Sequence, residues 1–306
     1  MTPLVAYETI GFVLGLLFGS FLNVCIARLP QNQSIVHPRS YCPRCGSGIR
    51  WFDNIPVLSW LLLRGRCRSC HETISLQYPL VEIALGLWFM GQAAAIYTLI
   101  YTPNTHDLVS HVIAHVGIAI FGFLLIGLIV MDWQTHLLPD AFTLVGLAIS
   151  FFLTCLQAIF LAPNEDDVLL GNNHIQLSSV GSKGGNGNVF LTGPERLLGD
   201  WLLAVCAVVL LLLFVRWLYR KLRHHEGMGM GDVKLLALIA GFLGFWSAIL
   251  ALFLGVFFAS IYAAVLLARS KAGLASKLAF GSFLAAAGLI AALYGESIVN
   301  AYKTLL

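Results

Sequence analysis

Charge is what this sequence has least of. Among 306 residues it carries 15 acidic and 18 basic side chains, or 11% charged, against about 25% in ordinary soluble domains. With 58% hydrophobic residues and a mean hydropathy of +0.84, that scarcity excludes a soluble globular chain and indicates a polytopic membrane protein. Other absences narrow the chemistry. There is no HExxH metal motif, serine nucleophile motif or phosphate-binding loop, and no Gly-rich dinucleotide loop. No basic stripe with interleaved aromatics is present, so the net charge of +3 does not indicate a nucleic-acid partner. Internal repeats of the kind that mark many transporters are missing. The first apolar run lacks a positively charged n-region and a small-residue cleavage site, so it is expected to stay as a helix.

What is present is a series of apolar runs long enough to cross about 30 Å of hydrocarbon. They fall near 4–27, 79–100, 110–131, 140–162, 197–219, 233–248, 250–268 and 278–298. The expected fold is an all-α polytopic membrane protein of about eight transmembrane helices, the sixth and seventh being hardest to separate. Cytoplasmic loops retain Lys and Arg. Arg28, Arg39, Arg44, Arg50, Arg64, Arg66 and Arg68 lie between the first two spans, Arg216, Arg220, Lys221, Arg223 and Lys234 around the fifth-to-sixth link, and Arg269, Lys271 and Lys277 before the eighth. Only Lys183, Arg196 and Lys303 fall on the opposite side, so both termini are expected outside.

Residues 28–78 form a polar cytoplasmic module between the first helix, 1–27, and the remaining core, 79–306; a second polar stretch, 163–196, is expected on the outer side as a loop or linker. The module contains Cys42-Pro43-Arg44-Cys45 and Cys67-Arg68-Ser69-Cys70 with 21 residues between the pairs. Two CxxC pairs can grip a tetrahedral ion from two sides and complete a closed structural zinc site. Two disulfides or free thiols are the alternatives, and a cytoplasmic setting disfavours the disulfides. A structural metal would stabilise a module too small for its own core. Cys25, Cys155 and Cys206 lie singly in apolar spans and are expected to pack there. His111 and His115, with His106 and Asp107 nearby, suit helix packing better than metal binding.

Two aspartates stand where spans meet their cytoplasmic flanks: Asp132, in Met131-Asp132-Trp133, and Asp232, closing Gly229-Met230-Gly231-Asp232. An Asp at a helix centre costs roughly 2.5 to 3.5 kcal/mol on insertion scales, so acids at a membrane border usually face a cavity and a task. Two carboxylates held together can serve as general base and general acid, as in aspartic proteases. Helix capping is the competing reading; it suits Asp140, which follows Pro139 at a plausible helix start. It does not suit Asp132, because the negative dipole end of a helix disfavours an acid, but it remains open for Asp232, which starts the sixth span.

Taken together these stretches resemble the type IV prepilin peptidase family. The matching pieces are Gly19-Ser20-Phe21-Leu22-Asn23-Val24 with Arg28-Leu29-Pro30, both CxxC pairs, 51–60 from Trp51 to Trp60, Tyr78-Pro79-Leu80-Val81-Glu82, 132–140, 227–234 and Phe280-Gly281-Ser282-Phe283-Leu284. The resemblance implies a bifunctional enzyme of the bacterial inner membrane. An aspartic endopeptidase of the GxGD type, with Asp132 and Asp232 catalytic, would cut the basic leader from type IV prepilins or from pseudopilins of type II secretion at the cytoplasmic face. It would then methylate the new N-terminal residue with S-adenosylmethionine, whose binding residues the sequence does not reveal. Asp53, Glu72, Glu82 and Glu226 are the acids expected to meet a basic leader. One departure stands out: Ala279-Phe280-Gly281-Ser282-Phe283 lacks both prolines of the commoner Pro-Phe-Gly-Pro-Phe pattern. Against this reading stand a proton- or cation-coupled transporter with a zinc-binding domain, and a methyltransferase that has lost proteolysis.

Overall fold

The computed structural model describes residues 3–99, 105–160, 194–223, 229–269 and 278–305. They form eight α-helices: α1 (Pro3–Arg28), α2 (Leu58–Leu62), α3 (Gln77–Leu99), α4 (Thr105–Thr135), α5 (Asp140–Phe160), α6 (Pro194–Arg223), α7 (Met230–Ala268) and α8 (Phe280–Leu305). Among the described residues the only β-pairings are two isolated bridges, Tyr41 with Gly48 and Arg66 with Thr73.

Six helices, α1 and α3 to α7, are long and apolar enough to cross a membrane, and α8 adds a shorter apolar stretch, Phe280–Gly295. The eight expected spans are therefore matched only roughly, since the sixth and seventh are a single kinked helix. At 39 residues, α7 would run roughly 58 Å if straight, almost twice the hydrocarbon thickness. It breaks at Gly244, where φ 78° and ψ 177° leave helical space, a conformation open to a residue without Cβ. The expected division at 248–250 lies a few residues beyond that kink, because no proline marks it and glycine recurs along the apolar run, at 241 as well as 244. The stretch at 163–196 lies outside the described residues up to 193; α6 begins at Pro194.

Close helix contacts follow from small residues. Gly11, Gly15 and Gly19 line one face of α1, and a Cβ at Gly15 would lie 2.5 Å from the Leu85 carbonyl oxygen, at Gly19 2.6 Å from Glu82 Cα. Backbone thus meets backbone along the antiparallel α1–α3 pair, the association that small-xxx-small spacing permits in membranes. Trp88 of α3 donates its Nε1–H to the Ile118 carbonyl of α4 at 2.9 Å, filling the space that Gly122 leaves. From α4 the packing passes to α5 and α8, with α7 joining α5, α6 and α8. Leu22, Leu85, Phe121, Leu125, Leu235, Ile239 and Leu284 are fully buried where these helices meet. Leu203, Leu210 and Phe253 instead point outward, as on helices whose outer faces meet lipid tails.

Candidate active site and cysteine centre

Three helix ends converge on Asp132. It sits in the last turn of α4, while the starts of α7 and α8 bring Gly231-Asp232 and Gly281-Ser282 beside it. Asp132 is only 5% exposed. Its Oδ2 accepts a hydrogen bond from the Ser282 backbone N–H at 2.6 Å, and Ser282 Oγ lies 3.0 Å from the same oxygen. The hydroxyl also lies 2.9 Å from the Ile129 carbonyl, an alternative acceptor.

Glycine makes this convergence possible. A Cβ on Gly281 would stand 3.1 Å from Asp132 Cγ and 3.0 Å from Leu138 Cδ1, and one on Gly231 3.1 Å from the same Leu138 atom. Leu138, in the short link between α4 and α5, is thus wedged between the glycines of α7 and α8. Asp232 is partly buried in the first turn of α7, where the positive helix end favours an acid. Its Oδ2 lies 3.6 Å from where a Cβ on Gly229 would stand, and Leu138, which meets Gly231 just before it, also meets Gly281 beside Asp132. The two sequence-predicted acids are therefore brought together from positions 100 apart.

Asp140 is set apart from them. It begins α5 and its Oδ1 pairs with Lys234 Nζ at 2.6 Å on a solvent-exposed surface. His115 Nδ1 lies 2.9 Å from Gln92 Oε1, and among the described residues no histidine joins a metal-binding group. The side chains of His106 and Asp107, and residue Glu226, lie outside the described residues.

The cysteine module sits at the same end of the bundle. Gln134, two residues past Asp132, donates to the Gln77 side chain at the start of α3 at 2.5 Å. Each CxxC folds as a tight turn: the Cys42 N–H bonds the Ser47 carbonyl at 2.9 Å, and the Cys67 N–H bonds the Glu72 carbonyl at 2.8 Å. The sulfurs of Cys42, Cys45, Cys67 and Cys70 lie within 4.8 Å of one another. Cys42 and Cys70 are 3.8 Å apart at sulfur, far beyond the roughly 2.05 Å of a disulfide. It equals the edge of about 3.8 Å expected for a tetrahedron with metal–sulfur bonds of about 2.3 Å. Backbone N–H groups of Cys70 and Ser69 pull the Cys67 thiol down to about 7, while, against the pull of the Glu72 N–H, desolvation and the neighbouring sulfurs push the Cys70 thiol up to about 12, so a bound cation would be needed to hold all four as thiolates. The set can hold one metal ion.

Two acids expected to meet a basic leader are otherwise engaged. Asp53 receives both arms of Arg68, at 2.8 Å to Oδ2 and 2.5 Å to Oδ1, and that guanidinium holds its carboxyl below the usual range. Glu82 is buried in α3 and accepts the Val57 N–H at 2.7 Å, which anchors the module to the bundle. Between module and bundle lies a cleft of about 950 Å³, lined in part by Ser20, Asn23, Arg28, Tyr78 and Glu82. Asn23 donates to the Tyr78 carbonyl at 3.0 Å, leaving its Oδ1 without a partner.

Sequence reasoning missed the Ser282 contact, the Leu138 wedge and the Gln134–Gln77 link. Only the first had a signal, the absence of proline from the Ala279-to-Phe283 stretch.

Comparison with known proteins agrees over nearly the whole chain. Residues 13–96 match the Bacterial Peptidase A24 N-terminal domain, and residues 118–264 match the Type IV leader peptidase family. The chain is similar to a prepilin leader peptidase/N-methyltransferase of Pseudomonas putida, 32% identical over 98% of this chain and 95% of that one. It is also similar to proteins of the same description from Aeromonas salmonicida, 30% identical over 97% and 94%, and Dichelobacter nodosus, 31% identical over 92% and 90%. No solved structure matches it.

Proposed function

Because this chain belongs to the Type IV leader peptidase family, we propose that it cleaves the leader peptide of a prepilin or pseudopilin with Asp132 and Asp232, then N-methylates the new N-terminus. The observation that carries the reading is the convergence of the two acids at one end of the helical bundle. One carboxylate takes a proton from water as the water oxygen attacks the scissile carbonyl. The other donates its proton to the carbonyl oxygen, and collapse of the tetrahedral intermediate sends a proton to the leaving amine. A transporter reading finds no support in the relatives.

The basic residues at this end of the bundle favour a cytoplasmic site in the inner membrane, with both termini outside. A prepilin helix lying in the bilayer would then present its leader at the level of the aspartates. The four thiolates fit zinc in number and spacing, and the ion would be structural, with no open position.

S-adenosylmethionine supplies the methyl group. We place it in the cleft beside the cysteine module, whose volume suits a ligand of that size. Asn23 Oδ1, buried and without a partner, offers an acceptor there, suited to orienting an amine. Calorimetry with S-adenosylhomocysteine should show binding to the full chain that Ser20→Leu, which narrows the cleft, abolishes; equal binding by both would remove this placement.

For the peptidase, Asp132→Asn and Asp232→Asn should each lower cleavage of a co-expressed prepilin by about 10³-fold or more, with helix content unchanged. Survival of cleavage in both variants would show the assignment wrong.

A further inference from the structure

A backbone N–H can only donate, so the oxygen it faces must accept. At Asp132 that oxygen is Oδ2, which receives the Ser282 N–H at 2.6 Å and has the Ser282 hydroxyl at 3.0 Å. Both residues are at least nine-tenths buried, Asp132 at 5% and Ser282 at 4% exposure, so water does not compete for these bonds. Among the described residues no hydrogen bond reaches Oδ1, whereas Oδ2 has the two Ser282 groups. The two oxygens of one carboxylate are thereby made unequal.

We propose that Ser282 is a positioning residue for peptide cleavage: it occupies Oδ2 and fixes the plane of the Asp132 carboxyl, leaving Oδ1 as the atom that exchanges protons with water and substrate. This rests on the reading of Asp132 and Asp232 as the catalytic pair. The contact depends on the residue at this position, because a proline here would have neither an N–H nor a hydroxyl. Gly281 supports the arrangement by leaving out a Cβ that would stand 3.1 Å from Asp132 Cγ. Orientation of this kind acts on the reacting state more than on substrate affinity.

The test compares Ser282→Ala, Ser282→Thr and Ser282→Pro with Asp132→Asn in the full chain, reading kcat and KM for leader cleavage. Ser282→Ala should lower kcat about 10-fold and Ser282→Pro, which removes both donors, about 100-fold, with KM within about twofold. Ser282→Thr, which keeps both donors, should recover most of the lost rate. Wild-type kcat in Ser282→Ala and Ser282→Pro, with Asp132→Asn inactive, would overturn the proposal and leave the catalytic pair standing. Equal losses in the Ala and Thr variants, or a change in KM alone, would also overturn it, by showing a packing role. An active Asp132→Asn would overturn the catalytic pair itself.

Discussion

The cysteine module gathers its four sulfurs from a span of 28 positions, whereas the aspartate site joins α4 to α8 across 150 and adds Asp232 from α7. The module is local and thinly covered: two turns, two isolated bridges and a short helix, with no buried side chain in α2. The aspartate site is non-local and rests on helices packed through glycine. The first has four sulfurs that can share one metal ion, and the second needs its whole bundle. The two sites should therefore fail differently.

The largest expected effect is on the module. Cys42→Ser or Cys67→Ser should release zinc and unfold residues 28–78, since structural zinc supplies about 10 kcal/mol or more in small modules, while the transmembrane helices persist. Elemental analysis with limited proteolysis reads both parts. Purified active protein without zinc, or simultaneous collapse of module and bundle, would break the contrast.

A smaller effect is expected at the glycine contacts of the aspartate site. Gly281→Ala places a methyl 3.1 Å from Asp132 Cγ and should lower kcat between about 10- and 100-fold, with zinc content unaltered. Wild-type kcat in this variant would show that the carboxyl tolerates displacement.

The smallest concerns Asp53. With Arg68→Met, NMR titration should show its carboxyl rising from its depressed value toward the ordinary carboxylate range. The pair's contribution is present above the ordinary carboxylate value and is lost as pH falls through the lower folded one. An unchanged titration would mean that Arg68 does not hold the acid.

The contrast also explains what was legible in the sequence. Cys42, Cys45, Cys67 and Cys70 declare a site by spacing alone, and apolar runs declare helices. Asp132 and Asp232 stand out because charge is rare in such runs, and the placement of basic residues puts them on one side. The helix count was less legible, because Gly244 breaks α7 inside an unbroken apolar stretch. The absence of proline pointed to Ser282, but its contact with Asp132 depends on where α8 starts relative to the end of α4. The acids Asp53 and Glu82 read as free charges in sequence, but Arg68 and the Val57 N–H claim them in the fold.

The central claim is that Asp132 and Asp232 work as one catalytic unit. A double-mutant cycle with Asp132→Asn, Asp232→Asn and the combined variant measures this directly in a leader-cleavage assay. Residues acting as a unit lose activity once, so the double variant should be no slower than the slower single variant. Losses that multiply, each single variant keeping a measurable share of the rate, would contradict the account.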